Sequence, residues 1–445
     1  MFIMIVKVII ISITIPAASR PPILPQATNA DRNQTTVRYM NDSFRQQFPA
    51  LRRQHNGHRL VFMDGPGGTQ VPQPVIDAIS YYYKNSNANT HGAFITARET
   101  DEVIGGARAA VAHFLGAEGP HTISFGQNMT TLNYSLARAV GRLLQPGDEI
   151  LITQLDHEGN RGPWLSLREQ GIAVREVKLK KEGTLDYDDM AAKINERTRL
   201  LALGYASNFM GTVNDVQRAR ALTYQAGAWL LLDAVHFAPH FPLDVQAIGC
   251  DFLLCSAYKF YGPHVGILYS RPGLLDRLPT DRLRTAAQEA PFSIETGTLN
   301  HAALAGVKAA VDFIACFGQG SDYRSCLSDA MNCIHQHEIA LARKLYAGLT
   351  ALDGVTVAGP PMDAPLRAPT LAVLTDGLRP EAVTQKLAER NILAWDGHFY
   401  AIRAAEVLGL LEQGGVTRLG LSAYSSEEDV GLAVEGFKQL GYGKG

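Results

Sequence analysis

The sequence predicts an α/β protein with a second domain of different character. Three observations carry this. Short apolar runs alternate with helix-like stretches, the pattern of strands joined by crossover helices. Several of those runs are apolar without alternation, as strands buried on both faces require. From about Val311 the pattern turns to long helices and short strands, and 445 residues are enough for two cores. The reading divides the chain into an N-terminal extension at 1–39, a large domain at 40–310 and a small domain at 311–445. Residues 40–60 are able to pack with the small domain.

The organising stretch is 229–269. Trp229-Leu230-Leu231-Leu232 reads as a buried strand ending in Asp233. Phe252-Leu253-Leu254-Cys255 is the next, ending in Ser256-Ala257-Tyr258-Lys259, and Gly266-Ile267-Leu268-Tyr269 is the third. An acid and a lysine at neighbouring strand ends share one rim of an α/β sheet, where ligands bind. That pairing suits pyridoxal phosphate, which needs a lysine amine for its Schiff base and a carboxylate to keep its pyridine nitrogen protonated. Ser256 is placed to donate to a phosphate. The same spacing suits a buried ion pair, or two unrelated polar strand ends.

The remaining elements follow in chain order. Residues 61–63 read as a strand entering the glycine loop Asp64-Gly65-Pro66-Gly67-Gly68, where missing side chains let backbone approach a ligand. Asn87-Ala88-Asn89-Thr90-His91-Gly92 follows a helix. The strand at 122–125 runs through Gly126-Gln127-Asn128-Met129-Thr130-Thr131 into a helix at 132–144, an arrangement whose free N–H groups and dipole attract phosphate. The strand at 149–153 leads to Asp156-His157-Glu158-Gly159-Asn160 and on to Pro163-Trp164. The strand at 200–205 leads to Ser207-Asn208-Phe209-Met210-Gly211-Thr212. Glu295-Thr296-Gly297-Thr298-Leu299-Asn300 precedes a helix, Gly397-His398-Phe399-Tyr400 lies in the second domain, and Thr417-Arg418-Leu419 is strand-like.

Together these segments resemble the class V aminotransferase superfamily, and within it the cysteine desulfurase and selenocysteine lyase branch, over roughly Asp64 to Asp429. The resemblance implies an aspartate-aminotransferase-like, fold type I architecture: a mostly parallel sheet in the large domain and a smaller C-terminal α+β domain. It implies a homodimer acting on a small-molecule amino acid, with pyridoxal 5'-phosphate as cofactor. Lys259 then takes the Schiff-base position and Asp233 the ring nitrogen. Asn128, Met129, Thr130 and Ser256 take the phosphate, with a Met129 N–H where the family has a threonine. His157 stacks on the ring and moves protons. Asn208 and His236 meet the cofactor's phenolic oxygen, Asn208 alternatively the substrate carboxylate; His236 replaces a glutamine and Tyr258 a histidine. Arg418 clamps the carboxylate, its planar fork suiting bidentate binding. His91 is a candidate substrate-pocket residue, and Thr298 would serve the neighbouring subunit's phosphate. As plain structure, each has a bland alternative: a surface histidine, a capped turn, a surface salt bridge.

Desulfurases carry their persulfide-forming cysteine where Tyr400 falls here, and none of the five cysteines lies in 380–415. The expected reaction is therefore a C–S or C–Se lyase-type elimination without a loop thiol, with class V transamination or epimerisation as alternative and a non-catalytic cofactor-binding protein as the remaining one. Phe399 and Tyr400 would narrow the pocket mouth and favour a substrate larger than cysteine. No GxGxxG follows a first strand, which argues against a nicotinamide fold.

Composition bounds the rest. Forty-one basic residues against 43 acidic leave no global field for nucleic acid or an anionic membrane. The cysteines show no CxxC pair and read as reduced structural thiols; no metal site is expected. Residues 1–18 are apolar with Lys7 as the single charge, and 8–17 has the size of a signal core, too short for a stable membrane span. A cytoplasmic protein is expected, with a signal or an organelle address left open. Residues before Met40 are expected to be dispensable.

Overall fold

The computed structural model describes residues 43–442; the expectations for residues 1–39 lie outside them. The large sheet has seven strands: β1 (Ile123–Gly126), β2 (Glu149–Thr153), β3 (Ala173–Val177), β4 (Thr198–Gly204), β5 (Trp229–Asp233), β6 (Phe252–Ser256) and β7 (Gly266–Ser270). Their spatial order is β1-β7-β6-β5-β4-β2-β3. β7 runs antiparallel to both its neighbours, and the remaining neighbouring pairs are parallel. The sheet is thus mostly parallel, and β2, β6 and β7 are buried along their whole length, which is why their middles are apolar without alternation.

Helices cover both faces. Among them are α1 (Gln73–Asn85), α2 (Ile95–Leu115), α3 (Met129–Gly141), α4 (Glu158–Leu165) and α5 (His301–Ala315). Local chemistry sets their ends. The Asn128 side chain caps α3 by accepting from the Thr131 N–H at 2.9 Å, and Gly116 in the left-handed region closes α2. Helix α6 (Tyr323–Thr350) starts at an Asp322–Ser325 capping box.

The second sheet is antiparallel: β8 (Val355–Ala358), β9 (Thr370–Thr375), β10 (Trp395–Gly397) and β11 (Val416–Gly420), in the order β8-β9-β11-β10. α6 joins the two cores. Its Leu327, Met331 and Ile334 pack with the core under the seven-stranded sheet, whereas Leu341, Leu345 and Leu349 pack with Val373, Leu419 and Phe437. Val61 and Met63 belong to this second core, and Val61–Phe62 pairs with Ile392–Leu393. The glycine loop at 65–68 therefore follows a strand that belongs to the second core. Among the described residues no helix is long and apolar enough to cross a membrane, and no cluster could hold a metal ion.

Candidate active site

The carboxyl ends of the parallel strands open onto a cavity of about 380 Å³. Asp233 ends β5, Ser256 ends β6, Gly204 ends β4 and Asp156 follows β2; all four line it. Brought together there are ten of the residues singled out from sequence: Asn128, Met129, Thr130, His157, Asn208, Asp233, His236, Ser256, Tyr258 and Lys259.

Lys259 is buried, and its Nζ donates to the Pro66 carbonyl in the glycine loop. Burial, with the Arg418 charge, pushes its ammonium down to about 7, against a smaller upward pull from Asp233. Asp233 is pushed up to about 7, mainly by burial and further by Asp156. Its Oδ1 accepts from the Val235 N–H at 3.0 Å. Ammonium and carboxylate are thus both costly to charge, although they share one site.

His157 is the N-cap of α4; its Nδ1 accepts from the Gly159 N–H at 2.8 Å, which leaves the hydrogen of the neutral ring on Nε2. Burial and the nearby Lys259 and Arg418 charges lower it to about 4. His236 bonds Thr370 Oγ1 through Nε2 at 3.0 Å, and its buried Nδ1 has no partner. Asn214 donates to the Gly204 carbonyl at 2.7 Å and keeps Oδ1 unpartnered. Tyr258 stacks on His264 with ring centres 4.7 Å apart.

At the phosphate end, the Met129 N–H donates to Ser256 Oγ at 3.1 Å, so that hydroxyl keeps its own hydrogen to donate. The Thr130 N–H, in the first turn of α3, has no intrahelical acceptor. A Cβ at Gly266 would stand 2.3 Å from the Asn128 carbonyl carbon; only glycine lets β7 pass so close beneath this loop.

These features fit pyridoxal phosphate. Orphaned polar atoms of His236 and Asn214 face a cavity that holds a lysine and an acid, each too buried to charge readily by itself. A helix N-terminus with a serine hydroxyl stands at one end of it.

Arg418 does not line the cavity but adjoins it. Nη1 donates to the Asn208 carbonyl at 3.0 Å, and burial pushes the guanidinium down to about 9. His91 stands away from it: the side chain is 86% exposed and pairs with Asp101 at 3.3 Å. Thr298 is exposed too, on a loop anchored by Glu295, which Arg108 holds in a buried pair at 2.6 Å. Sequence reasoning missed Asp64, Asp156, Asn214 and His264. Asp64 and Asp156 are both pushed up to about 6 by burial. Asp156 and His264 sat inside segments already read, yet neither has a local pattern of its own. Also missed was a buried pair behind the cavity, His240 Nδ1 to Glu338 Oε2 at 2.7 Å.

The class-V aminotransferase family model matches residues 61–432. A probable cysteine desulfurase of Synechocystis is 31% identical over 397 residues, which is 88% of this chain and 93% of the relative. A cysteine desulfurase of Yersinia pseudotuberculosis is 32% identical over 412 residues, 89% and 97% of the two chains. Among solved structures, a cysteine desulfurase of Escherichia coli in S-sulfonic acid form has a TM-score of 0.78 at 28% identity, over 89% of this chain and 97% of that one. The apo cysteine desulfurase of Thermococcus onnurineus has a TM-score of 0.78 at 26% identity, over 86% and 94%. A match that runs nearly from end to end, on a shared sheet architecture, means that the chain belongs to the class-V aminotransferase family.

Proposed function

We propose that this chain is a pyridoxal-phosphate enzyme acting on an amino acid by C–S or C–Se lyase-type elimination, without a persulfide formed on its own loop. The observation that carries the reading is Lys259 buried in one cavity with Asp233. In this reading Lys259 holds the cofactor's aldehyde carbon, Asp233 its ring nitrogen, and His236 and Asn208 its phenolic oxygen. The Ser256 hydroxyl and the first turn of α3 hold its phosphate. When bound, pyridoxal phosphate supplies an electron sink for charge developing at the substrate's α-carbon.

The chain's own groups do the rest. The lowered Lys259 pKa leaves a fraction of neutral amine near neutral pH, fit both to bond a carbonyl carbon and to take a proton. His157 stays neutral, with Nε2–H available to donate. Arg418 fixes the substrate carboxylate and so orients the bond to be broken. Thr298, exposed on its anchored loop, serves the phosphate of a second subunit in a homodimer. Sulfur capture by the chain needs an accessible thiolate. Cys250 and Cys255 are buried, and burial pushes both thiols far up; Cys316 is exposed and Cys326 and Cys333 are half-buried, but none of the three lines the cavity.

The test is the visible absorption of purified protein. A cofactor band present in the natural chain and lost in Lys259→Ala, with borohydride fixing cofactor on the Lys259 peptide, is the expected result. A label on another lysine refutes it.

A further inference from the structure

Three aromatic side chains of one short segment stand at the mouth of the site, two beside Arg418 and one over His157. Trp395 lies directly opposite it in the β10–β11 ladder, and the Trp395 indole nitrogen comes within 3.3 Å of where a Cβ on the cavity residue Gly67 would stand. Phe399 lies under the guanidinium plane, 3.8 Å from its carbon to the ring centre. Tyr400 faces His157, another cavity residue, with ring centres 5.3 Å apart.

The segment is held in an unusual shape. Phe399 and Tyr400 are consecutive non-glycine residues at φ 52° and 60°. Backbone of that kind is costly and persists where its surroundings impose it. Here the surroundings are the site itself: Asn208 Nδ2 donates to the Phe399 carbonyl at 2.9 Å, and the Glu158 N–H to the Tyr400 carbonyl at 2.7 Å. Arg403, just beyond, pairs with Glu176 at 3.1 Å.

Two polar side chains of the segment are engaged locally. Asp396 accepts from Thr384 Oγ1 at 2.7 Å, and His398 Nδ1 from the Tyr400 N–H at 3.2 Å. Much of its aromatic surface is exposed: Trp395 is 56% exposed and Tyr400 is 69% exposed. Large aromatic groups left in water beside Arg418 and His157 mark a place where apolar ligand surface can settle.

We propose that Trp395, Phe399 and Tyr400 select the substrate by its side chain, and that the substrate is an α-amino acid ending in a flat apolar or aromatic group. Arg418 takes the carboxylate, and the side chain lies along the aromatic rim beside it. A short thiol such as that of cysteine leaves the rim wet, whereas a planar group replaces that water with ring contacts worth roughly tenfold in affinity. The proposal rests on the cofactor reading above, because it takes the α-carbon to be held in the cavity.

The experiment titrates cofactor-loaded protein with L-phenylalanine, S-phenyl-L-cysteine, L-alanine, L-cysteine and L-aspartate. It follows both the cofactor's visible absorption and tryptophan fluorescence. The expected result is binding of the two aromatic ligands about tenfold tighter than of the other three. Trp395→Ala and Tyr400→Ala, at exposed positions whose truncation spares the core, lose that preference while keeping L-alanine binding. Equal affinity across the panel in a loaded protein, or an unchanged preference in both variants, overturns the selection alone. A protein that takes up no cofactor overturns the cofactor reading, and this one with it.

Discussion

Replacing Asp233 by asparagine in the cofactor-free protein is expected to change how stability depends on pH. Asp233 is buried and raised from 3.8 to about 7. In the unfolded chain it is ionised above about pH 4, whereas in the folded chain it stays protonated up to about 7. A raised carboxyl pKa contributes stability that is fully present below the unfolded value and is lost as pH rises through the folded one. Between about pH 5 and 7 the folded state holds one more proton, so unfolding free energy falls by about 1.4 kcal/mol per pH unit, or about 2.7 kcal/mol in all. Asparagine keeps the acceptor for the Val235 N–H and carries no titrating proton. Asp156 and Asp64 titrate in the same range in both proteins and largely cancel in the comparison. Urea unfolding of natural and Asp233→Asn apoprotein at half-unit steps measures the difference directly. The expected outcome is a variant that gains on the natural chain as pH rises and levels off above about 7. A difference that stays flat from pH 5 to 8 refutes the reasoning, because it means that Asp233 is already ionised in the folded apoprotein.

Other outcomes follow from the same geometry. Exposing the holoenzyme to cysteine under non-reducing conditions should leave no mass gain of one sulfur atom on any cysteine; a stable adduct, with turnover lost when that cysteine becomes serine, restores a persulfide mechanism. Mixing Lys259→Ala chains with Thr298→Ala chains should restore cofactor affinity in one site of each mixed dimer; a competent monomer excludes the shared site. Glu338→Ala leaves the buried His240 Nδ1 without its acceptor and should cost about 3 kcal/mol in urea unfolding, with Glu338→Gln costing clearly less. Equal losses in the two would mean that packing, not the hydrogen bond, sets the cost.

The strands that build the cavity were legible because each is a local pattern. Apolar runs at 150–152, 229–232 and 252–255 announce burial on both faces, and the polar residue that ends each then falls on one rim. The loop holding Asn128 was legible as leading into a helix at 132–144, but the helix starts at Met129, because the Asn128 side chain caps it through a contact three residues on. Resemblance extended this to His157, Asn208 and Arg418, whose roles no periodicity announces. It carried His91 along as well, which the fold leaves on the surface, paired with Asp101.

By itself, then, the sequence determined the α/β class, the lysine and acid on neighbouring strand ends, and the presence of a helix after the loop at the phosphate end. These depend on side-chain periodicity and capping, which act over a few residues. Tertiary structure alone decided that the Asp64 and Asp156 carboxyls are raised by burial beside the site, that Glu338 reaches His240 from another helix, and that Trp395 and Phe399 meet Arg418 while Tyr400 meets His157. Those contacts join segments that the chain brings together only when both cores have packed. Their energy comes from burial and pairing in three dimensions, which leaves no local pattern along the chain to read.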